Sequence, residues 1–319
     1  MLTLAAVVLS LVVVNLSGIV EPESNTPYVE INLNEPEPVV EPSPAMKMQA
    51  TKDIKYINRR WTRKGLTSLD VYQPMYIHGR GQDVVDRPIL IFIHGGAWAF
   101  GDKKRLEHKA EMALRNGWVY VSINYRLSPR VKHPEHARDA AAAIAYVRDH
   151  AQEFGGDASN IVIMGHSAGA HIAAIVACDE DLLSEYGMKP SDLDGVVLLD
   201  GAGYDIPNQM NSPLLTGVTR KMYERAFGTD TQAWIQASPT LQAKPGDDLP
   251  PLLAVHIDRA RSRIETPKLV EAWAATGAMA KVHYAPEPDH KGINTNIGKE
   301  NDPDSQVVEA FILKAFAQD

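Results

Sequence analysis

Cysteine is nearly absent: Cys178 is the only one in 319 residues. No intrachain disulfide can form, and zinc sites built from several cysteines are excluded. Positive charge is sparse too. The 32 Lys and Arg residues are outnumbered by 40 Asp and Glu, for a net charge of −8, which gives no footing to the concentrated basic surface of a nucleic-acid-binding protein. The first 46 residues contain no Lys or Arg but six glutamates (Glu21, Glu23, Glu30, Glu35, Glu37, Glu41). Without those six the remainder carries 34 acids against 32 bases, a near balance of −2. A membrane-length apolar run is also missing. The opening stretch from Leu2 to Val14 suits a signal-peptide core but falls short of the ~20 residues of a membrane span. It has no lipobox cysteine, no clear A-x-A site and no basic residue ahead of it.

These features divide the chain. Residues 1–20 are expected to be an export signal or uncleaved anchor, with an apolar terminus packed on the body as the alternative. Export would place the protein in the periplasm or outside the cell, and an anchor would tie it to a membrane. Residues 21–50, rich in Pro and Glu, favour extended, solvated conformations and read as a linker. One domain is expected over 51–319, since neither an internal repeat nor a second core is visible. Oligomeric state is not legible.

From about residue 88 onward, short apolar runs alternate with helical patterns. The runs "ILIFIHGG" (89–96), "WVYVSINY" (118–125), "NIVIMGH" (160–166), "GVVLLDG" (195–201) and "LLAVHI" (252–257) are rich in β-branched residues, as strands buried on both faces are. A more exposed strand is expected at 280–287, and an antiparallel pair near 53–60 and 69–74. Helices are expected over 104–116, 135–154, 168–178, 265–276 and 303–316. In the second, Ala137, Ala140, Ala141, Ile144 and Val147 form one apolar stripe. This alternation predicts an α/β fold with a mostly parallel central sheet and helices on both faces. Residues 203–245 break the rhythm and are expected to form a small cap-like insertion over the crevice at the strand C-termini.

Two motifs fall at that edge. "GHSAG", Gly165–Gly169, fits G-x-S-x-G between a predicted strand and a predicted helix. A serine there sits on a strained turn with its hydroxyl projecting and a helix N-terminus beside it. Ser167 is therefore the candidate nucleophile, with a capping serine as the structural alternative. "FIHGGAWAFGDK" (92–103) follows another strand end. Its backbone N–H groups at Gly95, Gly96 and Ala97, with that of Ala168, are the candidate oxyanion donors. His94 is expected to shape this loop and Trp98 to pack as an aromatic wall.

Together "HGGAW", "NYRLSP" (124–129), "GHSAGAH" and "DHKGIN" (289–294) make the chain resemble the α/β hydrolases. The nearest branch is the H-G-G-x-W esterases and arylformamidases, BD-FAE-like neighbours of the hormone-sensitive-lipase-like group. The resemblance covers roughly residues 53–316. It implies a Ser–Asp–His triad in that chain order, a small-molecule ester substrate, and neither metal nor organic cofactor.

Of the four histidines after Ser167, His171 lies in a helix and His256 and His283 in strand-like runs. Only His290 lies in a loop beyond the last strand, where it can act as base and then acid. The resemblance puts the triad acid in the loop after the penultimate strand, often as H-G-x-x-D. Here that loop reads "HIDRARSR" (256–263), with Ile257 in place of the glycine and Ala260 four past His256. Asp258 is the carboxylate of this loop and the expected acid, its alternative role being a surface ion pair with Arg259 or Arg261. Asp200, ending the preceding strand, is the other candidate. The functions left open are carboxylic ester hydrolysis, formamide hydrolysis of the arylformamidase kind, and binding by a catalytically inactive hydrolase fold.

Overall fold

The computed structural model describes residues 46–57, 65–76, 86–213, 215–287 and 289–317. The expected export segment lies outside the described residues, as does most of the expected linker. The linker's last residues, 46–50, instead begin the first strand, where pairing with a partner strand satisfies their backbone. The described residues all fall in one compact unit.

Eight strands form one sheet: β1 (Met46–Lys55), β2 (Ser68–Tyr76), β3 (Arg87–Ile93), β4 (Val119–Ile123), β5 (Gly156–His166), β6 (Gly195–Leu199), β7 (Leu252–His256) and β8 (Ala280–Tyr284). Their order is β1-β2-β4-β3-β5-β6-β7-β8. Only β2 runs against its neighbours, pairing antiparallel with β1 and β4, and β3 to β8 are parallel. All residues of β4, β6 and β7 are buried, which is why those runs are apolar throughout rather than alternating. The last strand, β8, is an edge and is half exposed.

The longer helices are α1 (Lys109–Arg115), α2 (Glu135–Asp149), α3 (Ala168–Cys178), α4 (Gly217–Phe227), α5 (Ser262–Ala274) and α6 (Pro303–Phe316). On β3, Ile89, Ile91 and Ile93 join the core cluster of α2 and α3, while the intervening Phe92 lies under Lys109 of α1. Helices therefore cover both faces. The helix expected over 135–154 stops at Asp149, where a separate tight turn, Ala151–Phe154, ends on the left-handed Gly155. None of the described helices is long and apolar enough to cross a membrane.

The strand order carries the functional consequence. The chain moves from β3 outward to β4, then crosses back past β3 to β5. That reversal opens a crevice between the C-terminal ends of β3 and β5, the place where open α/β sheets bind ligands. The two motifs occupy these two strand ends.

Candidate active site

Ser167 follows β5 directly, with φ 55° and ψ −118°, a backbone conformation that L-residues rarely adopt. The turn closes so tightly that the flanking glycines are obligatory. A Cβ on Gly165 would lie 2.2 Å from the carbonyl oxygen of Gly169, and one on Gly169 would lie 2.1 Å from that of Ile93. Helix α3 is thereby drawn against the ends of β3 and β5, and its first N–H groups, which have no intrahelical acceptor, lie beside the hydroxyl.

His290 comes from the loop after β8. Its Nε2 lies 2.8 Å from Ser167 Oγ, and its Nδ1 lies 2.6 Å from Asp200 Oδ2. An ionised carboxylate only accepts, so Nδ1 carries the proton and Nε2 is left to accept from the serine hydroxyl. The loop is locked locally: Asp289 Oδ1 accepts from the N–H groups of Lys291 and Gly292 at 2.9 and 2.7 Å. His166, the variable residue of the G-x-S-x-G turn, donates from Nε2 to the His290 carbonyl at 2.9 Å. Burial, with the neighbouring His290 ring, pushes the His166 pKa down to about 3, so His166 is a neutral donor there.

The partner of His290 is Asp200, at the end of β6, and not Asp258. Ile257 takes the inward position after β7 and is buried. Asp258 consequently points outward, 59% exposed, and pairs with Arg263 at 3.1 Å. Asp200 has no exposed side-chain surface. Its Oδ1 accepts from Ser262 Oγ at 2.7 Å, and its Oδ2 also takes Arg259 Nη2 at 2.9 Å. Burial would push this carboxyl up. The His290 hydrogen bond, the Arg259 charge and the Ser262 bond outweigh burial and hold it below the usual carboxylate range.

The glycine-rich loop after β3 lies across from the serine. At Gly95 a Cβ would come 3.1 Å from Ser167 Cβ and 2.8 Å from the His166 carbonyl, so only glycine lets this backbone reach the nucleophile. Ala97 and Trp98 both have positive φ, 51° and 56°, which needs external support. The Ala99 and Phe100 N–H groups close the turn onto the Gly96 carbonyl at 3.0 and 2.9 Å. Buried His94 stacks on Tyr125 with ring centroids 4.5 Å apart and donates from Nδ1 to the Gly95 carbonyl at 2.8 Å. Tyr125 donates its hydroxyl to the His94 carbonyl at 3.0 Å, and Asn124 Oδ1 accepts from the Lys103 N–H at 2.7 Å. The "NYR" stretch thus braces the loop from behind, while Arg126 ties it to α2 through Asp139 at 2.7 Å.

Trp98 is buried. Its Nε1 donates to His171 Nδ1 at 3.2 Å, and its ring meets Tyr223 and Phe227 of α4 edge-on at 5.4 and 4.8 Å. The other His171 nitrogen, Nε2, donates to the Ala237 carbonyl at 2.7 Å. The 203–245 insertion is therefore fastened to the glycine-rich loop through the Trp98 indole.

The arrangement of strands and helices is shared with proteins of known structure. Esterase B from Lactobacillus rhamnosis superposes with a TM-score of 0.68 over 87% of this chain and 89% of its own, at 20% identity. The chain has the α/β-hydrolase fold. A carbohydrate esterase from gut microbiota, in truncated form, matches equally well, with a TM-score of 0.68, 21% identity, and coverage of 85% of this chain and 97% of that one. The BD-FAE family model matches residues 69–211, which span β2 through the nucleophile turn into the insertion. A probable carboxylic ester hydrolase of Mycobacterium tuberculosis, LipM, is 33% identical over 176 residues, 53% of this chain and 40% of LipM. This chain spans about half the length of the curated relatives it matches.

Within this hydrolase fold, the structure brings Ser167 and His290 together and sets Gly95 of the Gly95–Ala97 loop beside the serine, Ala168 follows the serine in the chain, and Asp258 lies apart from them. His166 stands at an unspecified position of G-x-S-x-G, and nothing in the sequence assigned Arg259 or Ser262 to Asp200. The available signal for Asp200 was a carboxylate ending a fully apolar strand, since a buried charge demands partners.

Proposed function

We propose that this chain is a serine hydrolase of carboxylic esters that works through a covalent acyl-enzyme. The reading rests on one observation, the continuous hydrogen-bonded chain from Ser167 through His290 to Asp200, 2.8 and 2.6 Å long at its two links. Ser167 Oγ attacks the acyl carbon while His290 Nε2 takes its proton, and the imidazolium formed is stabilised by the Asp200 carboxylate. The carbonyl oxygen becomes an oxyanion held by the N–H groups of Gly95–Ala97 and Ala168, and loss of one such donor typically costs ~3 kcal/mol. His290 then protonates the leaving alcohol. Water repeats the sequence on the acyl-enzyme, which releases the acid and restores Ser167. The names of LipM and of the esterase structures support ester over amide substrates.

The test is hydrolysis of p-nitrophenyl acetate together with labelling by a fluorophosphonate. Both are expected in the wild type and both disappear in Ser167→Ala. Folded wild-type protein that neither labels nor turns over would refute the proposal.

A further inference from the structure

The acid at the end of β6 is held by residues from elsewhere. The loop after β7, where Asp258 points to solvent, sends Arg259 and Ser262 back onto the Asp200 carboxylate. Arg259 Nη2 lies 2.9 Å from Oδ2 and 3.3 Å from the Asp200 carbonyl oxygen, and Ser262 Oγ lies 2.7 Å from Oδ1. Asp200 itself has φ 42°, a conformation that local sequence does not favour, and its N–H donates to the Val255 carbonyl of β7 at 2.7 Å. The segment 259–262 therefore grips the stretch after β6 at both main chain and side chain.

We propose that Arg259 and Ser262 are positioning residues for the reaction: Ser262 fixes which Asp200 oxygen faces His290, and Arg259 shares that oxygen and sets the electrostatic field at the imidazole. This rests on the serine-hydrolase reading above. Oδ2 serves two donors at once, His290 Nδ1 at 2.6 Å and Arg259 Nη2 at 2.9 Å. The guanidinium opposes the positive charge that develops on the ring when it takes the serine proton, an effect that a merely packing residue would not have. The other charged and titratable groups around the ring are His166 of β5, Asp289 and Lys291 of its own loop, and Lys109 of α1 behind His166. None of these touches the shared oxygen in the way Arg259 does.

The experiment compares wild type with Arg259→Ala, Arg259→Lys, Arg259→Gln and Ser262→Ala in pH profiles of p-nitrophenyl acetate hydrolysis, with Ser167→Ala as control. Arg259→Ala is expected to lower kcat about tenfold with KM within about twofold, and to move the acid limb of kcat/KM upward by about half a unit to one unit. Arg259→Lys returns the limb toward the wild-type position because it restores the charge. Arg259→Gln, a shorter polar side chain without charge, shows the upward limb even if Arg259→Ala fails to fold. Ser262→Ala lowers kcat about tenfold and leaves the limb in place. If Ser167→Ala is inert while the Arg259 variants keep an unmoved limb and kcat within twofold, the positioning role is overturned and the hydrolase reading stands. An active Ser167→Ala overturns both.

Discussion

Replacing Asp200 by Asn is the most discriminating substitution in this molecule. The carboxylate is fully buried and lies 2.6 Å from His290 Nδ1. With charge centres on the order of 4 Å apart and an effective dielectric of ~20, its attraction for the imidazolium is worth ~4 kcal/mol, about a thousandfold in rate. His290 is 35% exposed, which screens part of this, so a loss of roughly 10²–10³ in kcat is expected. The Asn carbonyl is steered toward His290 because Arg259 and His290 both donate to the Oδ2 position, while Ser262 can turn its hydroxyl to accept from the new amide. The imidazole therefore keeps its tautomer and loses mainly its counter-charge, which places the effect below the ~10⁴ of a tautomer-reversing substitution. Asp258→Asn, an exposed residue paired with exposed Arg263, should change kcat less than twofold. Initial rates on p-nitrophenyl acetate, with circular dichroism melts to establish folding, decide the matter. The reasoning is refuted if folded Asp200→Asn keeps more than a tenth of wild-type kcat, or if Asp258→Asn is the variant that fails.

Two stability predictions follow from buried groups. His136 and His171 are each 1% exposed, and burial pushes their pKa values down to about 3 and about 4. A depressed pKa in the folded state means a favourable contribution that is complete above the ordinary value of ~6.5 and is lost as pH falls toward 4, at ~1.4 kcal/mol per unit per residue. At pH 5 this amounts to ~2 kcal/mol each, a large share of a typical 5–15 kcal/mol stability, so urea midpoints should drop clearly between pH 7 and pH 5. A flat profile would contradict it. Gly169→Ala forces a methyl to 2.1 Å from the Ile93 carbonyl, a clash with strand backbone that cannot swing away. It should cost more than ~3 kcal/mol and is read by the same urea titration, with a midpoint unchanged from wild type counting against the close-packed turn.

The sheet was legible because its interior strands are buried on both faces. Such strands must be continuous apolar runs, and the expected starts and ends of β3, β4, β5, β6 and β7 lie within a few residues of those observed. Helices α3 and α6 match their expected limits, and α1 and α5 begin elsewhere than expected, at Lys109 and Ser262. The meeting of Ser167, His290 and the Gly95 loop was legible because glycine spacing and strand ends are local properties. The acid was not, because choosing between Asp258 and Asp200 depends on which way a loop turns after β7. The burial of Ile257 decides that turn. His166 escaped notice for a related reason: its bond to the His290 carbonyl spans 124 positions and has no counterpart in local spacing.

The indole of residue 98 gives the 203–245 insertion and the glycine-rich loop a common rivet. Remodelling α4 shifts Tyr223 and Phe227, and with them a ring that packs in the loop carrying two left-handed backbone residues. Changes of fit on that side of the cleft must therefore register in turnover as well as in affinity.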